Sequence, residues 1–250
     1  MKRIYHYTTL KSLECILSNA TLRLSALSGM DDLLEGDSID FGDMAKYYYV
    51  SSWTYDDKEN IPLWYMYTNE LSGVRIEVDE TFVTLEEDET GKIKNITNPD
   101  LIAYRISYDK EDSFLVPVRY TDEYESCIDG PRGYINENVT YIGMVKTTAW
   151  EFQKEVRFRI YGINKKYLGS FGDNDFLKFT NSIFNNKPND IRYADVKFKI
   201  ENLQNAKFML GPAASQTEYE QLIFLVNKYI PNFKGQIQKS NLRIRFKSRI

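Results

Sequence analysis

A chain of 250 residues with one histidine, His6, and two cysteines, Cys15 and Cys127, has few side chains that can do chemistry. His6 lies in "RIYHYTT". The other conspicuous groups are the aromatic run "LWYMY", which holds Trp64, Tyr65 and Tyr67, and Glu155 at the head of "EVRFRI", backed by Arg157 and Arg159. A neutral imidazole can donate to or accept from a ribose hydroxyl, and an aromatic side chain can stack on a flat ring. A carboxylate can hold a ribose 2′-hydroxyl while positive charge builds at the anomeric carbon. As a set these residues fit a ligand with sugar hydroxyls, an aromatic ring and a departing group, and the chemistry is cleavage of a glycosidic bond. Singly, each has a plainer reading: a lone strand histidine is usually structural, and rings in a short helix, Trp64 above all, are usually core.

Other chemistries find little purchase. Nucleophilic hydrolysis would have to use His6 as its base, but there is no Gly-x-Ser-x-Gly elbow, and Cys15 falls within a helical apolar pattern. No Gly-rich phosphate loop of either standard spacing occurs, which removes kinase and dinucleotide-fold readings. Two cysteines and one histidine are too few for a structural zinc site, so no metal is expected. No apolar run approaches the ~20 residues that span a bilayer, and "MKRIYHYTT" has no signal-peptide core, so a cytoplasmic protein without membrane contact is expected.

At 42% apolar and 27% charged residues the composition is that of a globular protein, and the net charge of −4 argues against a chain-wide nucleic-acid footprint. The tail "KYIPNFKGQIQKSNLRIRFKSRI" nevertheless carries seven Lys or Arg and no acid. It reads first as a solvated edge strand, on which cations discourage aggregation. Phosphate contact through Lys239, Arg243 and Arg245 is the alternative, and it leaves room for a nucleic-acid-processing enzyme.

The elements that must position these groups follow from periodicity. "RIYHYTT" alternates as a strand and passes at Thr8 or Thr9 into a helix with Leu10, Leu13, Ile16 and Leu17 at helical spacing. "TLRLSAL", "YYYVSSWTY", "VRIEVD", "LVPVRYTDEY", "YADVKFKI" and "AKFML" read as strands. "NIPLWYMYTNE" reads as a short helix ended by Ser72 and Gly73, and the polar segment from Asp79 to about Leu115 as helix plus long loop. Thr148 and Glu151 have capping-box spacing, which starts a short helix at Ala149 and explains Glu151. In "EVRFRI" the apolar residues alternate with Glu155, Arg157 and Arg159, so one face is expected apolar and the other charged, with Glu155 pointing into a cleft. "DNDFLKFTNSIFNN" reads as a helix. Ser215 with Glu218 caps another, which Pro231 stops. Strands and helices intermix without a regular βαβ rhythm, which predicts an α+β protein. A single domain over 1–250 is expected, with a core over about 1–165 and residues 166–250 packed on it.

"YHYTTLKSLECIL", "MDDLLE", "VSSWT", "PLWYMYTNELSGVRIEVD", "KTTAWEFQKEVRFRI", "FMLGPAASQTEYEQL" and "QKSNLRIR" resemble, in that order, the blocks of a bacterial and phage family of unknown function, the DUF-2971 family. Where that family has an Asn-Asp pair before the acidic loop, this chain has Met30, Asp31 and Asp32. The first block is also similar to the opening of ADP-ribosyltransferases, in which a His-x-Thr at the end of the first strand holds NAD, a later aromatic packs on the nicotinamide, and a glutamate grips its ribose. The resemblance implies largely antiparallel split β-sheets with flanking short helices around an NAD cleft. It implies roles in NAD binding for His6, Thr8, Tyr65 or Tyr67 and Arg157, and a catalytic role for Glu155. The implied activity is transfer of ADP-ribose from NAD, the substrate, to an acceptor that is a protein, a nucleic acid or a small molecule, in a toxin or phage-defence setting. Lys239, Arg243 and Arg245 are then candidates for acceptor or phosphate contact. A non-catalytic module that holds a nucleotide or partner on the same fold is the rival expectation.

Overall fold

Alternating bulky side chains in Arg3–Thr8 give the first strand, and the Thr9 hydroxyl then caps the first helix by accepting the Ser12 N–H at 3.1 Å. The structure, a computed structural model, describes residues 2–38, 42–106, 114–123, 141–170 and 174–244. In chain order the strands are β1 (Arg3–Thr8), β2 (Thr21–Ala26), β3 (Asp37–Ser38), β4 (Gly42–Asp43), β5 (Tyr48–Thr54), β6 (Val74–Asp79) and β7 (Leu101–Arg105). They continue with β8 (Leu115–Pro117), β9 (Arg119–Tyr120), β10 (Val145–Lys146), β11 (Glu155–Asn164), β12 (Tyr193–Lys197), β13 (Lys207–Leu210) and β14 (Gln236–Lys239). The α-helices among the described residues are α1 (Leu10–Asn19), α2 (Ile61–Tyr67), α3 (Asp175–Phe184) and α4 (Gln216–Tyr229). The protein is therefore α+β with mostly antiparallel pairing, as expected. None of these helices is long and apolar enough to cross a membrane.

The chain divides into two compact units, each assembled from separated segments. Unit 1 comprises Met1–Thr21, Thr54–Phe82 and Lys199–Ile250, and unit 2 comprises Leu22–Trp53 and Val83–Phe198.

In unit 1, β6 lies between β1 and β13, antiparallel to both, and β14 adds in parallel to β13 at the end of the row. The register pairs His6 with Ile76 and Ile76 with Phe208, so Ile4, His6, Thr8, Val74, Ile76, Val78, Phe208 and Leu210 share one face. That face is apolar and buried, apart from half-buried His6 and buried Thr8. Helices α1 and α4 contact each other and bury Leu10, Leu13 and Leu17 and Leu222, Leu225 and Val226. The opposite face carries Tyr5, Tyr7, Arg75 and Glu77, and helix α2 packs on it through Trp64, edge-on to Tyr7 with ring centroids 4.8 Å apart. Gly211 permits the turn after β13, since a Cβ there would lie 2.1 Å from the Leu71 carbonyl oxygen.

Unit 2 centres on β11, which pairs antiparallel with β7 and β8 and also borders β5. Its aromatic core gathers Tyr47, Tyr48, Tyr104 and Phe179.

Four local expectations need correction. The segment from Asp79 to Leu115 holds β7 and isolated bridges, with no helix among its described residues, because its polar stretches pair across Glu87–Ile93 and Lys92–Tyr104 instead. Helix α2 stops at Tyr67, ahead of Ser72 and Gly73, where Glu70 and Leu71 take positive φ. Residues Thr148–Gln153 form a 3-10 helix preceded by Thr147, with no side-chain cap; the Thr148 hydroxyl donates to Asp122 at 2.6 Å rather than serving Glu151. Finally, the charged side of "EVRFRI" is not the open face of a cleft: every residue of that stretch is buried, Glu155 included.

The Ser215 cap stands as expected: its hydroxyl accepts the Glu218 N–H while the Glu218 carboxylate accepts the Ser215 N–H at 2.7 Å. Ser215→Ala should lower stability by about 0.5–2 kcal/mol in urea denaturation. Glu151→Ala, which removes no cap, should stay within about 0.5 kcal/mol of the parent.

Candidate functional site

The residues with the most specialised surroundings form two groups, one in each unit. In unit 2, Glu155 opens β11 just after the left-handed Lys154, and its backbone N–H donates to the Tyr120 hydroxyl at 2.8 Å. Two residues on, on the same side of the strand, lies Arg157, which is 0% exposed. Its Nε donates to Glu155 Oε1. Nη1 donates to Glu35 Oε1 at 2.6 Å and to the Gly143 carbonyl at 3.0 Å, and Nη2 donates to Glu35 Oε2 at 3.1 Å and Glu155 Oε2 at 3.2 Å. A guanidinium has five N–H donors, and all five are used. Lys146, at the end of β10, completes the set by donating to Glu155 Oε2 and to Gln153 Oε1, each at 2.8 Å, with its ammonium 5.2 Å from the Trp150 ring centre.

Two carboxylates and two cations neutralise one another, but unequally. Glu155 is 4% exposed, yet Arg157 and Lys146 outweigh that burial and hold its carboxyl down at about 2. For Glu35, burial outweighs the pull of Arg157, which it shares with Glu155, and of the more distant Lys146, and the Glu155 charge adds to it, so its carboxyl is raised above its ordinary value. Glu155 is therefore ionised throughout the neutral range, and both its oxygens are engaged.

In unit 1 the register aligns Tyr5 with Glu77 and Lys207, and Tyr7 with Arg75 and Met209, on the face that α2 partly covers. Arg75 is 5% exposed; its guanidinium lies 4.8 Å over the Tyr5 ring, and Nη1 donates to the Asp57 carbonyl at 2.8 Å. Its Nε is buried with no hydrogen-bond partner. Glu77 Oε1 accepts from Arg3 Nε at 3.1 Å and Lys207 Nζ at 3.0 Å. The Tyr7 hydroxyl accepts the Asn60 N–H at 3.0 Å, and burial raises the phenols of both Tyr5 and Tyr7. The surface thus joins aromatic rings to three cations and to the carboxylates of Glu77 and Asp79, with those of Asp57 and Glu59 close enough to act on Tyr5 and Tyr7.

The residues singled out from sequence separate accordingly. His6, Thr8, Tyr65, Tyr67, Lys239 and Arg243 belong to unit 1, and Glu155 and Arg157 to unit 2; Arg245 lies outside the described residues. Within unit 1, His6 and Thr8 share the apolar face, while Tyr67 packs with Tyr7, Leu63, Trp64 and Leu71 on the other, so strand alternation parts the histidine from that tyrosine. Tyr65 is 54% exposed on α2, and Trp64 is core. Lys239 donates to Gln216 at 3.1 Å from the exposed edge strand, and Arg243 is exposed beyond it. Sequence reasoning passed over Arg75, Tyr5, Arg3 and Lys207, although the "VRIEVD" alternation places Arg75 and Glu77 side by side on one face. It also passed over Glu35 and Lys146, for which no local signal exists.

No protein-family model matches the chain, nor does any curated protein or solved structure.

Arg157→Met removes the cation that lies between two buried carboxylates and should destabilise the protein by about 3–5 kcal/mol, the range for a broken buried ion pair, read from denaturant midpoints. Acid should act through Glu155 with a definite sign. Its folded-state pKa is depressed, so its contribution is present above the ordinary glutamate value and lost as pH falls towards about 2. A Glu155→Gln protein should lack that component of the stability profile between those limits.

Proposed function

We propose that the chain binds a nucleotide through unit 1, with NAD as the first ligand to test, as its resemblance to the ADP-ribosyltransferase-like class implies. The observation that carries this reading is the face of the β1–β6–β13 sheet on which Tyr5, Tyr7 and Arg75 lie together with Arg3, Glu77 and Lys207. Aromatic side chains suit a flat base, a carboxylate suits ribose hydroxyls, and cations suit phosphate. The split-sheet arrangement of that class belongs to the same reading, with mostly antiparallel pairing in its support.

ADP-ribosyl transfer is the second reading. What favours it is Glu155, which is an anion at every pH near neutrality, as a group facing an oxocarbenium-like centre must be. Against it, Arg157 and Lys146 already hold both Glu155 oxygens, so binding without turnover is the reading that the geometry favours first.

Thermal unfolding in millimolar NAD should show a raised midpoint, because a ligand bound only by the native state stabilises it by mass action. Nicotinamide release, followed chromatographically with and without cell lysate, should stay at the uncatalysed level. Release that disappears in a folded Glu155→Gln protein, with kcat lost and KM little changed, would instead establish cleavage of the glycosidic bond with the Glu155 carboxylate as the group that stabilises the developing positive charge. No midpoint shift together with no release would remove both readings.

A further inference from the structure

We propose that a cavity in unit 2, between the turn before β7, the end of β11 and the start of β12, binds an uncharged mono- or disaccharide. The site is separate from the unit 1 face on which the nucleotide reading rests, and neither claim depends on the other. The cavity measures about 370 Å³, inside the range of roughly 300–1,000 Å³ that holds small molecules. Planar polar groups dominate its lining: Asn98, Asp100, Asn164, Asp190 and Arg192, with the ring of Tyr193.

The walls are held in place by the protein itself. The Lys165 N–H donates to the Asp100 carbonyl at 2.8 Å and the Thr97 N–H to the Asp195 carbonyl at 3.0 Å, which ties the turn before β7 to the end of β11 and to β12. Ahead of β12, the Ile191 carbonyl accepts the Tyr49 hydroxyl and the Arg192 carbonyl accepts the Ala26 N–H, each at 2.9 Å. Alternation in β12 puts Tyr193 and Asp195 on one face. There Arg23 of β2 grips the Asp195 carboxylate at 2.8 and 2.9 Å and lies 3.8 Å over the Tyr193 ring. Tyr193 is thus oriented, yet it stays 45% exposed.

Charge decides the class of ligand. Asp100 pairs with Lys165 at 2.8 Å, Asp190 with Lys166 and Asp195 with Arg23, so each of these carboxylates already has a cation. Arg192 is exposed and has no ion-pair partner among the described residues. A metal ion would have to displace a lysine and face Arg192, and a phosphate would have to lie against Asp100 and Asp190. A sugar meets neither conflict. Its hydroxyls donate to carboxylate oxygens and accept from amide and guanidinium N–H groups. Asn164, 8% exposed, gives one amide N–H to Asp190 at 2.8 Å, which leaves its second for a ligand. The apolar face of a sugar ring suits Tyr193.

The test titrates glucose, galactose, N-acetylglucosamine and maltose separately into the full chain, by isothermal calorimetry and saturation-transfer NMR. At least one should bind, and Arg192→Ala/Tyr193→Ala should weaken that sugar at least about tenfold. Should the double variant not fold, Arg192→Ala alone, a change to an exposed side chain, should weaken it measurably. No binding of any of the four, or binding unchanged in the folded variant, overturns the proposal, as does binding of calcium or inorganic phosphate alone. Any NAD-dependent rise in the unfolding midpoint should be equal in wild type and variant; its loss in the variant would put part of the nucleotide in this cavity and remove the separate sugar site. Sugar binding without an NAD response would leave this site standing and remove the nucleotide reading.

Discussion

A guanidinium buried at Arg157 must find an acceptor for each of its five N–H groups, and unit 2 is arranged around meeting that demand. The acceptors come from three separate stretches: Glu155 on the same strand, the Gly143 carbonyl, and Glu35 from the loop after β2. Satisfying one side chain therefore fixes the mutual placement of those stretches to within hydrogen-bond tolerance. Lys146 is the consequence of the second carboxylate, since Glu155 and Glu35 could not both be buried beside one cation without leaving a net negative charge in a poorly polarisable interior. Gly143, in the left-handed region at φ +75°, turns the chain at the point where its carbonyl faces Arg157, and a Cβ there would come 3.1 Å from Leu27.

In unit 1 the governing constraint is the two-residue period of a strand. Register with β6 and β13 makes one face continuous apolar core, and the same register then has no choice but to collect Arg3, Tyr5, Arg75, Glu77 and Lys207 on the other. Polar groups on that second face are tolerated because they partner one another, as the shared Glu77 oxygen shows. His6 follows the apolar set by parity, which gives a local reason for its half-buried position apart from any ligand.

What could be read from the sequence was whatever short-range physics decides. The strand and helix at Arg3–Thr8 and Leu10–Asn19, the Ser215–Glu218 capping box and the edge strand in the basic tail rest on neighbours a few residues away, and each is present. The failures have a common origin. Thr148 and Glu151 have capping-box spacing, but Asp122 competes for the Thr148 hydroxyl from 26 residues away. Alternation in "EVRFRI" marks two faces correctly but cannot tell a solvated charged face from a buried, neutralised one, because the neutralising Glu35 lies 122 residues from Arg157. Opposite charges at positions 155 and 157, two apart on one strand face, were the available hint that the strand neutralises itself.

The interleaving of unit 1 also sets the order in which the chain can complete itself during synthesis. Strands β1 and β6 emerge early and can pair, but the partner for the free edge of β6 is β13, which follows the whole of residues 83–198. Until it arrives, "VRIEVD" presents an unpaired edge of alternating apolar residues, the kind of template on which nascent chains stick to one another. Long-range pairing of this sort also makes for slow folding, since the chain must close a long loop before the contact rewards it. The charges of Arg75 and Glu77, set between the apolar residues of that edge, are well placed to discourage self-association in the interval, a task finished once β13 is in place.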